Sequence, residues 1–212
     1  MNWCEIYEFL KEWQTLLGAL IALAAAIWTI IVMRSHAVRD DVRHKNLMHR
    51  REMAARAQMP DALSEVSAYS KSVGRYLTNQ TEEVPSEPTA AITTLKHVIE
   101  HIDDKAAQRV FDLVSWYQVQ RARTVGRTPI QIEPQRSEGF YDIVLLQAYT
   151  NSLFEYARNQ EPTAPVEDPT KEEMIEASKN TFGLVNFAQQ SEMFEVLNAT
   201  IDRRHDSTTS IG

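Results

Sequence analysis

Trp13 to Met33 reads WQTLLGALIALAAAIWTIIVM, 21 consecutive positions without a charged side chain. At about 1.5 Å of rise per residue a helix of that length spans roughly 31 Å, the thickness of a bilayer's hydrocarbon core. A backbone in lipid has no water to bond with, so the segment is expected as a helix that satisfies its own N–H and C=O groups. Two other readings compete. A cleaved signal peptide needs a basic start and a short apolar stretch. Ala24-Ala25-Ala26 could imitate its cleavage site, but Glu5, Glu8 and Glu12 outnumber Lys11 ahead of the run, and apolar residues continue through Ile27, Trp28, Ile30, Ile31 and Val32. A buried core helix seldom goes so far without a charge. The expectation is a retained transmembrane helix, 13–33, with Trp13, Gly18, Trp28 and Met33 among its residues.

Working outward, charge sets the orientation. Residues 1–12 form a short extracytoplasmic N-terminus with one Lys and no Arg. Residues 34–59 carry Arg34, Arg39, Arg43, Lys45, Arg50, Arg51 and Arg56. Because positive flanks stay in the cytoplasm, the N-terminus is expected outside and the bulk of the chain inside. Trp3, Tyr7, Phe9 and Trp13 suit an interfacial aromatic belt. Net charge runs −2 over 1–33, +4 over 34–59 and −9 over 60–212. The basic stretch, with Arg34, Arg39, Arg43, Lys45, Arg50 and Arg51, is expected against lipid headgroups. The acidic remainder argues against a nucleic-acid partner. Cys4 is the sole cysteine, so no internal disulfide staples the fold.

The soluble part reads as all-α: a basic stalk helix over 34–59, a bundle of about four to five helices over 60–202, and a polar tail, 203–212. Stalk apolar residues Val38, Val42, Leu47, Met48 and Met53 keep no heptad; a homo-oligomer through the stalk or span stays open. Small residues Gly18 and Ala22 to Ala26 would permit close helix packing in lipid. Pro60 is expected to break the stalk, with a new helix from Asp61 to Leu77 carrying Leu63, Val66, Tyr69 and Val73 inward. Thr78 to Pro88 is a loop. Ile92, Leu95, Ile99, Ile102, Ala106, Val110, Leu113 and Tyr117 then step by three and four. An Asp103-Asp104 cap divides this stripe into helices 89–102 and 104–124, one long helix being the alternative. Arg127 to Glu138 reads as a loop with a short extended piece at Ile130-Gln131-Ile132. Phe140 to Ala157 is apolar nearly all round, as a central helix would be. After a Pro-rich linker, 159–169, Thr170 and Glu173 form a capping box. They open a last helix to about Asp202, with Ile175, Phe182, Val185, Leu197 and Ile201 inward and a possible interruption at Gln189-Gln190-Ser191.

One short motif carries chemistry. His97-Val98-Ile99-Glu100-His101 is similar to the His-x-x-Glu-His motif of the inverted zinc peptidases. The resemblance implies zinc on His97 and His101, water activation by Glu100, and a third ligand far downstream, for which Glu176 is the candidate. It covers five residues; those peptidases are mixed α/β, and Ile102-Asp103-Asp104-Lys105 does not match the surroundings of their motif. The alternative is a solvated helix face. No Gly-rich phosphate loop or nucleophile elbow occurs. Trp116, Tyr117, Gln118, Gln120, Arg121 and Arg123 cluster either as a core aromatic pair with a charged helix end or as a partner-binding face.

The acidic, aromatic N-terminus leading into Trp13-Gln14-Thr15-Leu16-Leu17-Gly18-Ala19, then a basic stalk and a helical remainder, resembles uncharacterised bacterial single-pass inner-membrane proteins. That likeness implies the inner membrane and carries no functional residues across. The expected function is a membrane-anchored, cytoplasm-facing helical scaffold, sensor or regulator with a protein partner, no catalytic activity and no cofactor. The alternatives are a zinc-dependent hydrolase and a phage-type lysis or envelope-spanning protein with its soluble part outside.

Overall fold

Helix α1 runs without interruption from Trp3 to Leu77, passing through Pro60. A computed structural model of the chain describes residues 3–124, 133–183 and 191–209. Those residues are helical with loops between, and no strand occurs among them. The chain divides into two units, Met1–Arg50 and Arg51–Gly212.

The expected break at Pro60 does not occur. Proline lacks the N–H that would bond the Arg56 carbonyl, a loss of about 3 kcal/mol in a helix interior. Around it, Met59, Leu63, Val66 and Val73 are fully buried on one face, and each such side chain gains about 1.5–3 kcal/mol from leaving water. Burial outweighs the missing bond. The second unit accordingly begins at Arg51 rather than at residue 60, with Ala55 and Arg56 already buried.

After the loop, α2 (Thr89–Val98) buries Ala91, Ile92, Leu95 and Val98. One 3-10 turn, Ile99–His101, tightens its end, and Ile102 is extended. Helix α3 (Asp104–Thr124) starts afresh, as the cap predicts: Asp103 Oδ1 accepts the backbone N–H groups of Lys105 and Ala106 at 3.0 and 3.2 Å. The two-helix division of 89–124 is the one adopted.

Helix α4 (Glu133–Ser152) begins before the expected loop ends, with Pro134 in its first turn, where a missing N–H costs nothing. It is buried on every side from Phe140 to Thr150. A break at Leu153 separates it from α5 (Phe154–Ala157). Helix α6 (Lys171–Phe182) opens on the expected capping box: Glu173 N–H donates to Thr170 Oγ1 (3.2 Å) and Thr170 N–H to Glu173 Oε2 (2.7 Å). The single final helix is not found. Gly183, at φ 80°, ends α6, and α7 (Ser191–Thr209) is separate. Met174 and Ala177 fill the core where Ile175 is only partly buried. The expected polar tail is helical to Thr209, and Arg203 and Arg204 both pair with Glu138. Ile130-Gln131-Ile132, Val185 and Gln189-Gln190 lie outside the described residues.

Helix α4 packs chiefly on α6 and α3, and then on α7. Phe140, Phe182 and Phe194 stack edge to face at 5.6 and 5.8 Å, linking α4, α6 and α7; such pairs contribute about 0.5–1.5 kcal/mol each beyond their burial. At Gly74 an added Cβ would sit 3.1 Å from Thr181 Cγ2 and 3.2 Å from the Phe182 ring, so α1 and α6 touch through a missing side chain.

Candidate functional site

Among the described residues, one helix, the apolar run of α1 in the first unit, is long and apolar enough to cross a membrane by length and composition, with none of its apolar window buried. Ile21 and Trp28 are each 70% exposed. The polar side chains near it turn inward along the helix. Thr29 Oγ1 donates to the Ala25 carbonyl and Ser35 Oγ to that of Val32, both at 2.8 Å, which removes two donors from the surroundings. Gly18 has open space where a Cβ would be. The side chains of Trp3, Tyr7, Phe9 and Val38 lie outside the described ones.

From Arg34 to Arg51 the described stalk side chains are exposed. At 100° per residue, Arg39, Arg43 and Arg50 fall within about 40° of one another around the helix, with His36 beside them. Arg34 and Lys45 take the opposite side. Val42, Leu47, Met48 and Met53 are exposed and scatter around the circumference, leaving no continuous apolar seam. Arg43 has a loose ion pair with Asp40 at 3.9 Å.

In the second unit the informative cations are Arg56, which the sequence counts only as one of the basic residues of 34–59, and Arg109, which it does not single out. Arg56, on α1, donates from Nε (3.1 Å) and Nη2 (2.6 Å) to the Tyr156 carbonyl and from Nη2 to that of Glu161 (2.8 Å). Its guanidinium lies 4.0 Å from the centre of the Tyr156 ring and pairs with Glu52 at 3.6 Å. Arg109, on α3, is 1% exposed. It donates from Nε to the Pro165 carbonyl (2.8 Å) and from Nη2 to that of Glu167, 4.9 Å from the Tyr149 ring centre. Tyr149 in turn donates its hydroxyl to Asp168 (2.9 Å). Burial, the carboxylate of Asp168 and that hydrogen bond together push the Tyr149 hydroxyl well above its ordinary pKa. Two guanidinium forks thus pin the Pro-rich linker by its backbone. A planar fork suits paired carbonyls as an ammonium does not. No sequence signal marks these two arginines, because their partners are carbonyls about 50 to 100 residues away.

The Trp116 cluster is used internally. Tyr117 is buried edge-on to Tyr69 at 5.6 Å, and Trp116 packs against the core. Gln120 Oε1 accepts from the Tyr69 hydroxyl at 2.9 Å. Arg121 bonds Glu87 at 2.7 Å and Arg123 bonds the buried Asp142 at 2.5 Å. That is the aromatic pair with a charged helix end. Desolvation raises the Asp142 pKa, and Arg123 opposes the rise.

His97 and His101 do come together, ring centres 5.4 Å apart, with His97 exposed and His101 half-buried on the rim of α2. Glu100 is exposed beside them. Glu176 is elsewhere: it lines a cavity of about 480 Å³ with Asn151, Ser152, Phe154, Glu155, Arg158, Glu173 and Asn180, and no histidine. Among the described residues no three His, Cys, Asp or Glu side chains group as a metal site. The lining mixes these charged and amide side chains with Ala148, Phe154 and Pro165. No protein-family model, curated protein or solved structure matches the chain.

Proposed function

We propose that this chain is a membrane-tethered helical interaction module of the bacterial inner membrane, with its N-terminus outside and its stalk and helical bundle in the cytoplasm. The observation that carries the reading is the run of α1 in which Ile21, Leu23, Trp28 and Ile31 all face outward. A water-facing apolar surface of that extent is untenable for a soluble monomer; in lipid it is the expected state. A tether confines the bundle to a thin layer and so raises its effective concentration for membrane-bound partners without any added contact.

Distance along the stalk divides the basic residues. Headgroups extend roughly 5–8 Å beyond the hydrocarbon core, and screened attraction reaches about 8 Å further. Measured from Met33 at about 1.5 Å per residue, Arg34, Arg39 and Arg43 sit near 2, 9 and 15 Å, but Arg50 near 26 Å. The first three are assigned to anionic lipid, at about 1 kcal/mol each. Lys45, Arg50 and Arg51 stand progressively farther out, where that attraction is weaker. A zinc hydrolase is the weaker reading, since Glu176 shares its cavity with neither histidine.

A reporter fused after Gly212 tests orientation: fluorescence in the cytoplasm with an inactive periplasmic phosphatase fusion is expected, and the reverse pattern would put the soluble part outside. Alkaline carbonate washing of membranes should leave the chain in the pellet. In the purified chain, Arg39→Gln with Arg43→Gln should reduce co-purifying anionic lipid, whereas Arg50→Gln should not. In-cell crosslinking of the full chain then asks which partner meets the distal stalk or the bundle.

A further inference from the structure

We propose that the cavity between the end of α4, α5, the Pro-rich linker and α6 binds a free basic amino acid, its carboxylate on Arg158 and its cationic groups on Glu155 and Glu176. These three side chains line one space of about 480 Å³, within the size range of small-molecule sites. Arg158 lies over Phe154, 5.1 Å from the ring centre. Glu155 and Arg158, three residues apart, are spaced to pair with each other. Yet among the described residues neither they nor Glu176 enter an ion pair. The cavity thus holds charges of both signs that the chain itself leaves unmatched. A simple anion would meet three carboxylates there, Glu173 included. A diamine would leave the Arg158 fork unbonded. A ligand with one carboxylate and an excess of positive charge matches both sets, and a guanidinium fork binds a carboxylate through two parallel bonds.

The frame around this space is fixed by backbone bonds. Helix α4 stops at the fully buried Leu153, and α5 closes in a Schellman turn. Gln160 N–H donates to the Glu155 carbonyl and Asn159 N–H to that of Tyr156, both at 2.9 Å, with Asn159 at φ 60°. The Arg56 fork holds the carbonyls of Tyr156 and Glu161 on either side of that turn. Arg158 therefore projects from a braced turn. On α6, Glu173 and Glu176 share one face, and Glu173 is positioned by the Thr170 N–H through Oε2. Asn151 is set in the same way. Its Oδ1 accepts from Nε2 of Gln147, itself 1% exposed, at 2.8 Å, which leaves its amide N–H groups to join Arg158 on a ligand carboxylate. Such bracing is what keeps ligand-binding side chains in a productive geometry. The site belongs to the bundle alone, and it stands whether or not the module reading of the chain is correct.

Calorimetric titration of the purified full chain in detergent with L-arginine tests the site. One saturable equivalent is expected, at a Kd of about 0.1–1 mM for a ligand of this size. Agmatine lacks the carboxylate, and L-citrulline has an uncharged side chain of the same shape; each should bind about fivefold more weakly, as the loss of one solvent-exposed ion pair predicts. Arg158→Gln should weaken L-arginine about fivefold and leave agmatine as in the parent. Glu176→Gln should weaken L-arginine and agmatine alike. A merely structural role would move both ligands together in both variants. Circular dichroism should stay unchanged, and Glu195→Gln, on α7 and outside the cavity lining, should bind as the parent does. Absence of a saturable equivalent, agmatine binding as tightly as L-arginine, or binding that survives both cavity substitutions overturns the proposal.

Discussion

Arg43 and Arg109 carry the same guanidinium in opposite circumstances. The Arg43 side chain is 78% exposed and meets Asp40 at 3.9 Å, while Arg109 is 1% exposed and donates from Nε and Nη2 to carbonyls of the linker. The first can be exchanged with water and salt at little cost. The second has lost its hydration and is held only by the backbone it grips and the Tyr149 ring. Counting positive charge along the sequence treats the two alike; what distinguishes them is the carbonyl oxygens that distant segments bring to one and not to the other.

The contrast can be broken or sharpened by substitution. Arg109→Ala should have the largest effect, about 3–5 kcal/mol, since it leaves two linker carbonyls unbonded and a void beneath Tyr149. Urea unfolding of the full chain in detergent, followed by circular dichroism, would reveal it; a change under 1 kcal/mol would mean that water replaces the fork. Arg56→Lys keeps the charge but loses the fork that reaches both Tyr156 and Glu161, and about 1–2 kcal/mol should go with it. At the linker's far end the hold is local, through the Thr170 cap, and Thr170→Ala should cost about 1 kcal/mol in the same experiment. Asp142 sharpens the comparison from the acidic side. Burial raises its pKa in the fold despite Arg123, so the native state binds its proton more tightly than the unfolded state. That contribution is fully present below the unfolded value of about 3.9 and is lost as pH rises through the raised native value. Asp142→Asn should flatten the pH dependence of the melting temperature across that window. Arg43→Ala should leave unfolding within about 0.5 kcal/mol of the parent, because an exposed pair at 3.9 Å contributes little.

Much of the helix layout is legible in the sequence because it depends on neighbours. The stripe from Ile92 to Tyr117, the Asp103 cap and the Thr170–Glu173 box are all local patterns, and each appears where its spacing puts it. Pro60 misleads because its local cost is real but is outweighed by burial of Met59, Leu63 and Val66 against other segments. The division of 170–202 into two helices rests on the positive φ of Gly183, a residue that the sequence alone allows as helix interior or as helix end. The arginine clamps are invisible in the sequence for a related reason. A guanidinium's partner types can be guessed from chemistry, but a main-chain carbonyl has no letter of its own.

The grip of Arg56 on Tyr156 crosses 100 residues of chain, and that span has a duration. At roughly 5–20 residues per second of synthesis, the partner emerges about 5–20 s after the arginine. Through that interval α1 can meet α3, whose Tyr117 and Gln120 touch Tyr69, but not the segments that follow Tyr156. A nascent chain stalled before Tyr156 should therefore be the form that chaperones hold, and release should coincide with the linker reaching its two arginines.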